Sequence, residues 1–295
     1  MGDDAVTFES QRGELLALAY RMLGELARAE DVVQEAWIRW QGREGEVASP
    51  KAFLLTTVSR LCLDELGSAR ARREESRGDR LPEPIDLDCS GIGRFENLDQ
   101  ISMAFLVLLQ RLTPAERAVF LLHEVFDMNH AEIAPLVGKT DAACRQLLKR
   151  ARANVGAERR ALKTSRDEHR QLLMAFVRAI NGADQSALLD LLAEGAVLVA
   201  DAGSGGASHG RIRNIGRPVL GRRKILALVA AIGRQKVPGP AVIFDQRTLN
   251  GEPAVVAFQG GRAVMAILLS VADGKVQHVF LQVDEERLKH VGPPN

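Results

Sequence analysis

Thr113-Pro114-Ala115-Glu116 opens the stretch that decides the fold of this chain, and Gly138-Lys139-Thr140 interrupts it further on. Residues 113–116 form a capping box, with threonine at the helix cap, proline in the first turn and glutamate three residues after the threonine. A short helix is predicted from about His130 to Val137, followed by the glycine turn and a longer helix to about Val155. A short helix, a tight turn and a basic second helix are typical of a helix-turn-helix unit.

The longer helix of this unit has an apolar face and a basic face. The apolar stripe contains Ala143, Cys144, Leu147, Leu148, Ala151 and Val155. The basic and amide side chains outside this stripe are of the types that contact base edges in the major groove of DNA. The predicted DNA-binding residues of this helix are Arg145, Gln146, Lys149, Arg150 and Arg152. Charge supports this prediction, because residues 139–163 contain eight basic residues against two acidic ones. The alternative that the pattern leaves open is a helical hairpin with a solvated basic face.

Residues 8–73, which precede this unit, also have the apolar spacing of helices. Three stripes run through Leu15, Leu16, Ala19, Leu23 and Leu26, through Val32, Val33, Ala36, Trp37 and Trp40, and through Phe53, Leu54, Val58, Leu61 and Leu66. Ser49-Pro50 begins the third helix as a cap followed by a proline in the first turn. Further on, Leu81-Pro82-Glu83-Pro84 disfavours helix, because a proline restricts the residue before it. We therefore predict a linker over residues 77–100.

The C-terminal part of the chain changes from helices to strands. Two amphipathic helices, around residues 172–180 and 188–192, precede β-like runs at residues 197–200, 241–244, 254–258, 264–271 and 276–283. Asn250-Gly251, Gly260-Gly261 and Asp273-Gly274 separate several of these runs and are typical of hairpins. Helices followed by an antiparallel meander predict an α+β domain. The predicted segments are thus a helical domain (1–76), a linker (77–100), a helix-turn-helix domain (101–163) and an α+β domain (164–295).

Composition limits the classes of function that this chain can have. It has 295 residues, of which 46% are hydrophobic, and a formal net charge of +1, so a nucleic-acid partner must be bound by local basic patches. The cysteines Cys62, Cys89 and Cys144 form no C-x-x-C pair, which argues against a disulfide framework or a zinc knuckle. No apolar run approaches the roughly 18 residues of a membrane span, and the acidic N-terminus is unlike a secretory signal. We expect a cytoplasmic protein without a metal or a cofactor.

Several motifs carry a resemblance to a known family. Residues 8–73 contain Ala19-Tyr20-Arg21-Met22-Leu23-Gly24, Ala29-Glu30-Asp31-Val32-Val33-Gln34-Glu35-Ala36-Trp37 and Leu61-Cys62-Leu63-Asp64-Glu65-Leu66, and they resemble region 2 of bacterial sigma factors of the extracytoplasmic-function (ECF) type. Residues 111–153, from Leu112-Thr113-Pro114-Ala115-Glu116-Arg117 to Ala142-Ala143-Cys144-Arg145-Gln146-Leu147, resemble region 4. The remainder is similar to the SnoaL-like cone domain attached to one group of these factors. The resemblance implies two all-α sigma domains, a helical bundle and a helix-turn-helix, followed by an α+β cone domain.

The resemblance also implies a mechanism. A sigma factor binds core RNA polymerase and directs promoter-specific initiation; region 4 reads the −35 element, and region 2 recognises and melts the −10 element. The expected polymerase contacts are the β′ clamp helices and the β flap, and the residues implied for polymerase binding are Asp31, Gln34 and Glu35. The loop over residues 41–49 corresponds to the part of the family that receives a flipped base. The basic residues implied for contacts to the opened strand are Arg60, Arg70, Arg72 and Arg73.

The chain departs from the family pattern in several places. Gly67 stands where the family usually has arginine, and Arg80 replaces the tryptophan of the linker motif Trp-Leu-Pro-Glu-Pro. The tail motif Asp-Gly-Gly-Gly-Lys is present only loosely, as Asp201-Ala202-Gly203-Ser204-Gly205-Gly206, and Asp284-Glu285-Glu286-Arg287-Leu288 replaces Asn-Pro-Asp-Lys-Leu. The tail is expected to regulate the sigma domains in cis by docking on them, and the residues expected in its regulatory pocket or interface are Asp201, Gly203, Gly205 and Gly206. An unknown small-molecule ligand of the tail is a further possible partner.

Two other classes of function remain open. An ordinary helix-turn-helix regulator would bind DNA without polymerase, and it would not need the acidic surface from Asp31 to Trp37. A SnoaL-like isomerase or hydrolase, or a ligand sensor, would carry the DNA-binding domains as accessories; its candidate acid–base residues are Asp201, His209, Asp245 and His278. No pair of these has a diagnostic spacing, and the glycine-rich stretch 203–210 lacks the pattern of a phosphate-binding loop. We therefore predict no catalytic residue and no enzymatic activity.

Overall fold

The computed structural model describes residues 2–73, 80–86, 102–156, 165–203, 217–233 and 241–294. The chain divides into two compact units. The first contains residues 1–75, 94–98 and 105–157, and the second contains residues 76–93, 99–104 and 158–295. The predicted domain boundaries, near residues 76, 100 and 163, lie outside the described residues.

The described secondary structure of the first unit is helical. Its helices are α1 (Gly2–Leu23), α2 (Leu26–Gln41), α3 (Pro50–Arg73), α4 (Met103–Arg111), α5 (Pro114–Glu124), α6 (His130–Ile133) and α7 (Asp141–Gly156), and the first two residues of α4 belong to the second unit. Local sequence sets several helix starts, because Thr113 and Asn129 each form a capping box, with Glu116 and Glu132 respectively. The predicted helix-turn-helix is present as α6, a turn and α7; α6 is shorter than predicted and ends at Ile133.

Buried apolar side chains hold the helices of the first unit together. Leu18, Ala36 and Val58, from three successive helices, are completely buried. Trp40 is buried as well, and the ring of Trp37 lies 4.8 Å from that of Phe8, so both tryptophans belong to the packing of this unit. This packing defines the inner face of α2 and leaves its opposite face exposed.

The second unit is an α+β domain, as predicted. Its elements are α8 (Arg166–Asn181), α9 (Gln185–Leu191), β1 (Leu192–Asp201), β2 (Val219–Leu220), α10 (Arg222–Gly233), β3 (Ile243–Leu249), β4 (Glu252–Gln259), β5 (Arg262–Ala272), β6 (Lys275–Gln282) and α11 (Glu285–Leu288). The six strands form one sheet in the order β2-β1-β6-β5-β4-β3. The predicted antiparallel meander is correct for β3 to β6 but wrong for β1, which pairs in parallel with β6.

The two faces of the sheet carry different side chains, because successive residues of a strand point to opposite faces. One face packs against α8, α9 and α10 in a single apolar cluster that includes Phe176, Leu198, Leu269 and Leu281. On the opposite face, charged side chains are mixed with buried aromatic residues such as Phe258. The second face is the one that bears the candidate site of this unit.

Candidate functional site

Helix α7 presents its predicted DNA-binding side chains to solvent. Cys144, Leu148, Ala151 and Val155 are buried on its inner face, whereas the predicted residues Arg145, Gln146, Lys149, Arg150 and Arg152 are all exposed. Arg145 makes an ion pair of 2.9 Å with Asp141, one turn earlier on the same helix. Because the pair is exposed, it contributes little free energy and does not compete strongly with a phosphate or a base.

Arg152 is held differently from the other basic residues of α7. Its Nε donates to Oε1 of Glu124 on α5 at 3.1 Å. The same carboxylate oxygen lies 3.3 Å from Nδ1 of His123, whose ring is 4.7 Å from that of His130. Burial and the neighbouring His123 lower the pKa of His130. This pair of histidines was not predicted, since the two residues are seven positions apart in the sequence and meet only because α5 and α6 fold together.

The predicted polymerase surface lies on the outer face of α2. Asp31 and Gln34 are exposed, and Glu35 is partly buried. The carboxylate of Glu35 accepts from Nε of Arg39 at 2.9 Å, an exposed pair one turn apart. Ile38 continues the same face and is 56% exposed, so an apolar side chain lies beside these polar ones. Ile38 was not predicted as part of this surface, although its position seven residues after Asp31 places it on the same side of a helix.

The basic residues predicted on α3 are only partly described. Arg60 is exposed, and its Nη2 donates to the backbone carbonyl of Pro135 at 3.3 Å. Arg70, Arg72 and Arg73 lie on the last turns of α3, but their side chains are outside the described residues. In the loop after α2, the guanidinium of Arg43 lies 3.5 Å above the ring of Trp40 and pairs with Asp4, which ties this loop to α1.

A segment of the predicted linker, residues 80–86, is buried in the second unit, and we call it the docked linker segment. Leu81 and Ile85 are each only 1% exposed. The amide of Leu81 donates to Oδ2 of Asp201 at 3.0 Å, and Nη1 of Arg287 donates to the Leu81 carbonyl at 2.7 Å. The amide of Ile85 donates to Oδ1 of Asn250 at 2.9 Å, and the Asn250 amide donates to the Ile85 carbonyl at 2.9 Å. The backbone of both apolar residues is therefore satisfied by the C-terminal domain.

The charges of the docked linker segment are paired as well. Arg80 bonds to the carboxylate of Asp284, and its Nε lies 3.8 Å from Asp201. Glu83 bonds to Nδ1 of His290, and Oδ2 of Asp86 lies 3.6 Å from Nη1 of Arg247. Burying a charge is costly unless it is paired and hydrogen-bonded. If the segment were displaced by one residue along the domain, these charges would lose their partners, so the pairs favour the observed alignment. Asn250 was predicted only as part of a hairpin turn, and Arg247 and His290 were not predicted to have a role, since nothing local marks a residue that binds a distant segment.

The predicted regulatory residues are only partly covered by the structure. Asp201 contacts the docked linker segment as described above, and its Oδ1 accepts from the amide of Gly203 at 2.9 Å. Gly203 has a φ of +74°, and a Cβ added there would lie 2.8 Å from Cγ of Asp284, so a larger residue would disturb this turn. Gly205 and Gly206 lie outside the described residues.

The candidate acid–base residues of the tail do not converge on the apolar cluster. Asp245 pairs across the sheet with Val256, and His278 pairs with Ser270, so neither shares a face with Leu269 or Leu281. Asp201 lies opposite Gln282, four residues along β6 from His278. His209 is outside the described residues. Within the described ranges, no group of three or more His, Cys, Asp and Glu residues has the arrangement of a metal site.

Among the described residues of the second unit, His169 is a histidine buried on the apolar face. His169 of α8 is 5% exposed and forms a hydrogen bond with the backbone of Leu269, and burial lowers its pKa. A neutral, bonded imidazole in an apolar cluster is the expected state of a structural histidine. None of the described helices is both long enough and apolar enough to cross a membrane.

Known proteins resemble this chain over nearly its whole length. The family Sigma-70 region 2 matches residues 7–72, and the family Sigma-70, region 4 matches residues 102–155. The probable ECF RNA polymerase sigma factor SigI of Mycobacterium tuberculosis (strain ATCC 25618 / H37Rv) is 31% identical over 288 residues, which are 96% of this chain and 94% of SigI. The ECF RNA polymerase sigma factor SigJ of the same strain is 34% identical over 280 residues, 91% of this chain and 88% of SigJ.

The similarity is also seen between three-dimensional structures, and it includes the second unit. The crystal structure of Mycobacterium tuberculosis SigJ matches with a TM-score of 0.73 at 29% identity, and the match covers 97% of this chain and 98% of that chain. Both sigma regions are thus present in their usual order, and the predicted fold class is confirmed. The chain belongs to the ECF sigma factors of RNA polymerase, and its function is that of a sigma factor in transcription initiation.

Proposed function

We propose that this sigma factor binds core polymerase through the outer face of α2 and the −35 element through α7, and that its C-terminal domain regulates it in cis. The observation that carries the regulatory part is the docked linker segment, since Leu81 and Ile85 are buried and bonded to side chains of that domain. A linker that only connects two domains does not need such partners.

The polymerase contact combines charge with one apolar anchor. Asp31 and Gln34 are exposed on α2, and Ile38 lies on the same face. Protein interfaces place apolar side chains at a desolvated centre and polar side chains at the rim, and Ile38 beside Asp31 and Gln34 fits that arrangement. The proposed partners are the β′ clamp helices for this face and the β flap as a second polymerase contact.

The promoter contacts divide between the two sigma regions. Arg145, Gln146 and Lys149 are exposed on the face of α7 opposite its packed stripe, which suits readout of bases in the major groove. Arg60, with Arg70, Arg72 and Arg73 further along α3, is proposed to contact the −10 strand, which region 2 melts.

The linker provides a direct route from the C-terminal domain to both sigma regions. It joins region 2 to region 4, and an extended chain spans at most about 3.3–3.6 Å per residue. When residues 80–86 are docked, their span is fixed and the linker is attached to the C-terminal domain, which limits the separations that the two regions can reach. If only the undocked state binds the promoter, the apparent affinity falls in proportion to the fraction of undocked molecules.

The C-terminal domain is proposed to act by binding and not by catalysis, as a SnoaL-like domain adapted to hold a peptide. Asp201 serves as an acceptor for the Leu81 amide, and Asp245 lies 3.0 Å from Arg247. Both carboxylates therefore have structural partners, and neither lies on the face of the apolar cluster, where a cone-shaped cavity would hold a substrate.

The test is transcription in vitro by core polymerase from one promoter with the Leu81→Ala/Ile85→Ala variant. Truncating a buried leucine or isoleucine costs roughly 2–5 kcal/mol, which is enough to undock the segment while leaving the domain folded. We expect promoter-directed transcription to rise several-fold. The matched control is Leu220→Ala, which truncates a leucine of the same domain that is 61% exposed. Equal transcription by the double variant and the wild type, with the segment shown to be undocked by proteolysis, would overturn the regulatory proposal.

A further inference from the structure

Arg117 of α5 is a buried arginine that connects two helix ends. It is 6% exposed. Its Nε donates to the carbonyl of Leu109 at 2.7 Å, and its Nη1 donates to the carbonyl of Met22. Leu109 precedes the end of α4, whereas Met22 precedes the end of α1, so the guanidinium bridges region 4 and region 2 within the first unit.

The chemistry of these two carbonyls favours a cation. The last four carbonyls of a helix have no partner within the helix, and the C-terminal end of a helix carries a partial negative charge. Arg117 supplies two N–H groups and a positive charge to two such ends at once. A lysine has the charge but not the fixed planar fork, so it cannot reproduce both bonds with the same geometry.

A second contact joins the same two regions. Nη2 of Arg60 on α3 donates to the carbonyl of Pro135, which follows α6 of the helix-turn-helix. This contact uses a side chain that is proposed to bind promoter DNA. In this arrangement region 4 therefore occupies part of the surface that region 2 needs for the −10 strand.

We propose that Arg117 is a latch that holds region 2 against region 4 in a closed state, and that promoter binding requires its bond to the Met22 carbonyl to break. The two promoter elements are separate stretches of DNA, so the two regions have to come apart to contact both. The latch lies within the first unit and does not depend on the docked linker segment. It therefore adds a second restraint to the one assigned to the C-terminal domain.

The direct test locks the two regions together. Arg60→Cys and Pro135→Cys place thiols on the two sides of the second contact, in a Cys89→Ser background in which the other two cysteines, Cys62 and Cys144, are buried. A short bismaleimide with a reducible disulfide in its spacer then joins the two new thiols. We expect the cross-linked protein to lose at least ten-fold in promoter-directed transcription and to regain it when the spacer is reduced.

Transcription is compared between the linked and the cleaved form of the same variant. Any effect of the two cysteine substitutions on activity is present in both forms and does not contribute to the difference. Full activity of the cross-linked form would overturn the proposal, because the two regions would then not need to separate.

A second experiment tests the role of Arg117 itself. Fluorescent labels on regions 2 and 4 of the full-length protein report their separation in solution. We expect Arg117→Met to shift the distribution toward longer distances, Arg117→Lys to give an intermediate shift, and Arg12→Met, which changes an exposed arginine of α1, to give none. An unchanged distance in a folded Arg117→Met variant would show that Arg117 is not the latch. If that variant does not fold, the cross-linking experiment decides.

Discussion

Two sets of charged residues in this sigma factor are held in opposite ways. The basic residues of α7 and Asp31 of α2 are exposed, and Glu35 of α2 is partly exposed. The ion pairs that these residues make are Arg145–Asp141, Arg152–Glu124 and Glu35–Arg39, all within the first unit. The charges that hold the docked linker segment, such as Asp201, Arg247 and Arg287, are nearly completely buried. The exposed set is kept available to partners outside the chain, whereas the buried set has its partners within it. Substitutions in the exposed set should therefore weaken binding to partners, whereas substitutions in the buried set should lower the free energy of unfolding.

The largest effect is expected from reversing charge on the exposed set of α2. Asp31→Lys/Glu35→Lys should abolish assembly with core polymerase, because it replaces the acidic surface with a basic one. The free energy of unfolding should change little, since the Glu35–Arg39 pair that is lost is worth only about 0.3–0.5 kcal/mol. The measurements are co-elution with core polymerase and a melting curve. Co-elution at wild-type affinity would mean that this surface is merely solvated.

The opposite pattern is expected for the buried set. Arg287→Met removes the donor to the Leu81 carbonyl and one of the two guanidinium groups that lie 3.8 Å from Asp201. Asp201 keeps Arg80 and two backbone amides, so the main cost is the buried Leu81 carbonyl left without its donor, about 1–3 kcal/mol. We expect the free energy of unfolding of the C-terminal domain to fall by that order in urea titrations, with polymerase binding retained. A variant as stable as the wild type would show that this charge network does not stabilise the domain.

The sequence was informative where the determinants are local. The capping box at Thr113 and the stripe from Cys144 to Val155 predicted α5 and α7 because a helix start and a helix face depend on residues within a few turns. The docked linker segment could not be predicted in this way. Asp201 is 120 residues from its partner Leu81, and Asn250 is 165 residues from its partner Ile85. The prolines of the segment itself indicate only that it is not helical. The parallel pairing of β1 with β6 was missed for the same reason.

An effect of similar size is expected at the recognition helix. Arg145→Ala should weaken binding to the −35 element by about 1–3 kcal/mol and relax its sequence preference, because a base contact is lost. Lys149→Ala should weaken binding evenly across sequences and lower the slope of the salt dependence by about 1, because a phosphate contact is lost. Titrations with matched and mismatched duplexes separate the two, and Arg166→Ala on the second unit is the control. Unchanged selectivity in the Arg145 variant would count against this orientation of α7.

The smallest effect concerns a carboxyl group in the second unit. Burial raises the pKa of Glu252 to about 8 from its ordinary 4.5, and a hydrogen bond with the backbone of Met103 opposes the shift. The folded protein therefore holds a proton that the unfolded chain releases above pH 4.5, so stability should fall as the pH rises from about 4.5 to about 8. Glu252→Gln should flatten this dependence in melting curves, and the exposed Glu286→Gln should not. The same slope in both variants would contradict the assignment.

Hydrogen exchange at the amides of Leu81 and Ile85 tests the central claim most directly, because both amides are bonded to the C-terminal domain. Exchange should be measured in the free protein and in its complex with core polymerase and promoter DNA. We predict slow exchange in the free protein, where the segment is docked, and fast exchange in the complex, where the two sigma regions are apart. Slow exchange in both states would contradict the account, because the segment would then stay docked during initiation. Fast exchange in the free protein would contradict it as well, because the segment would not be held at all.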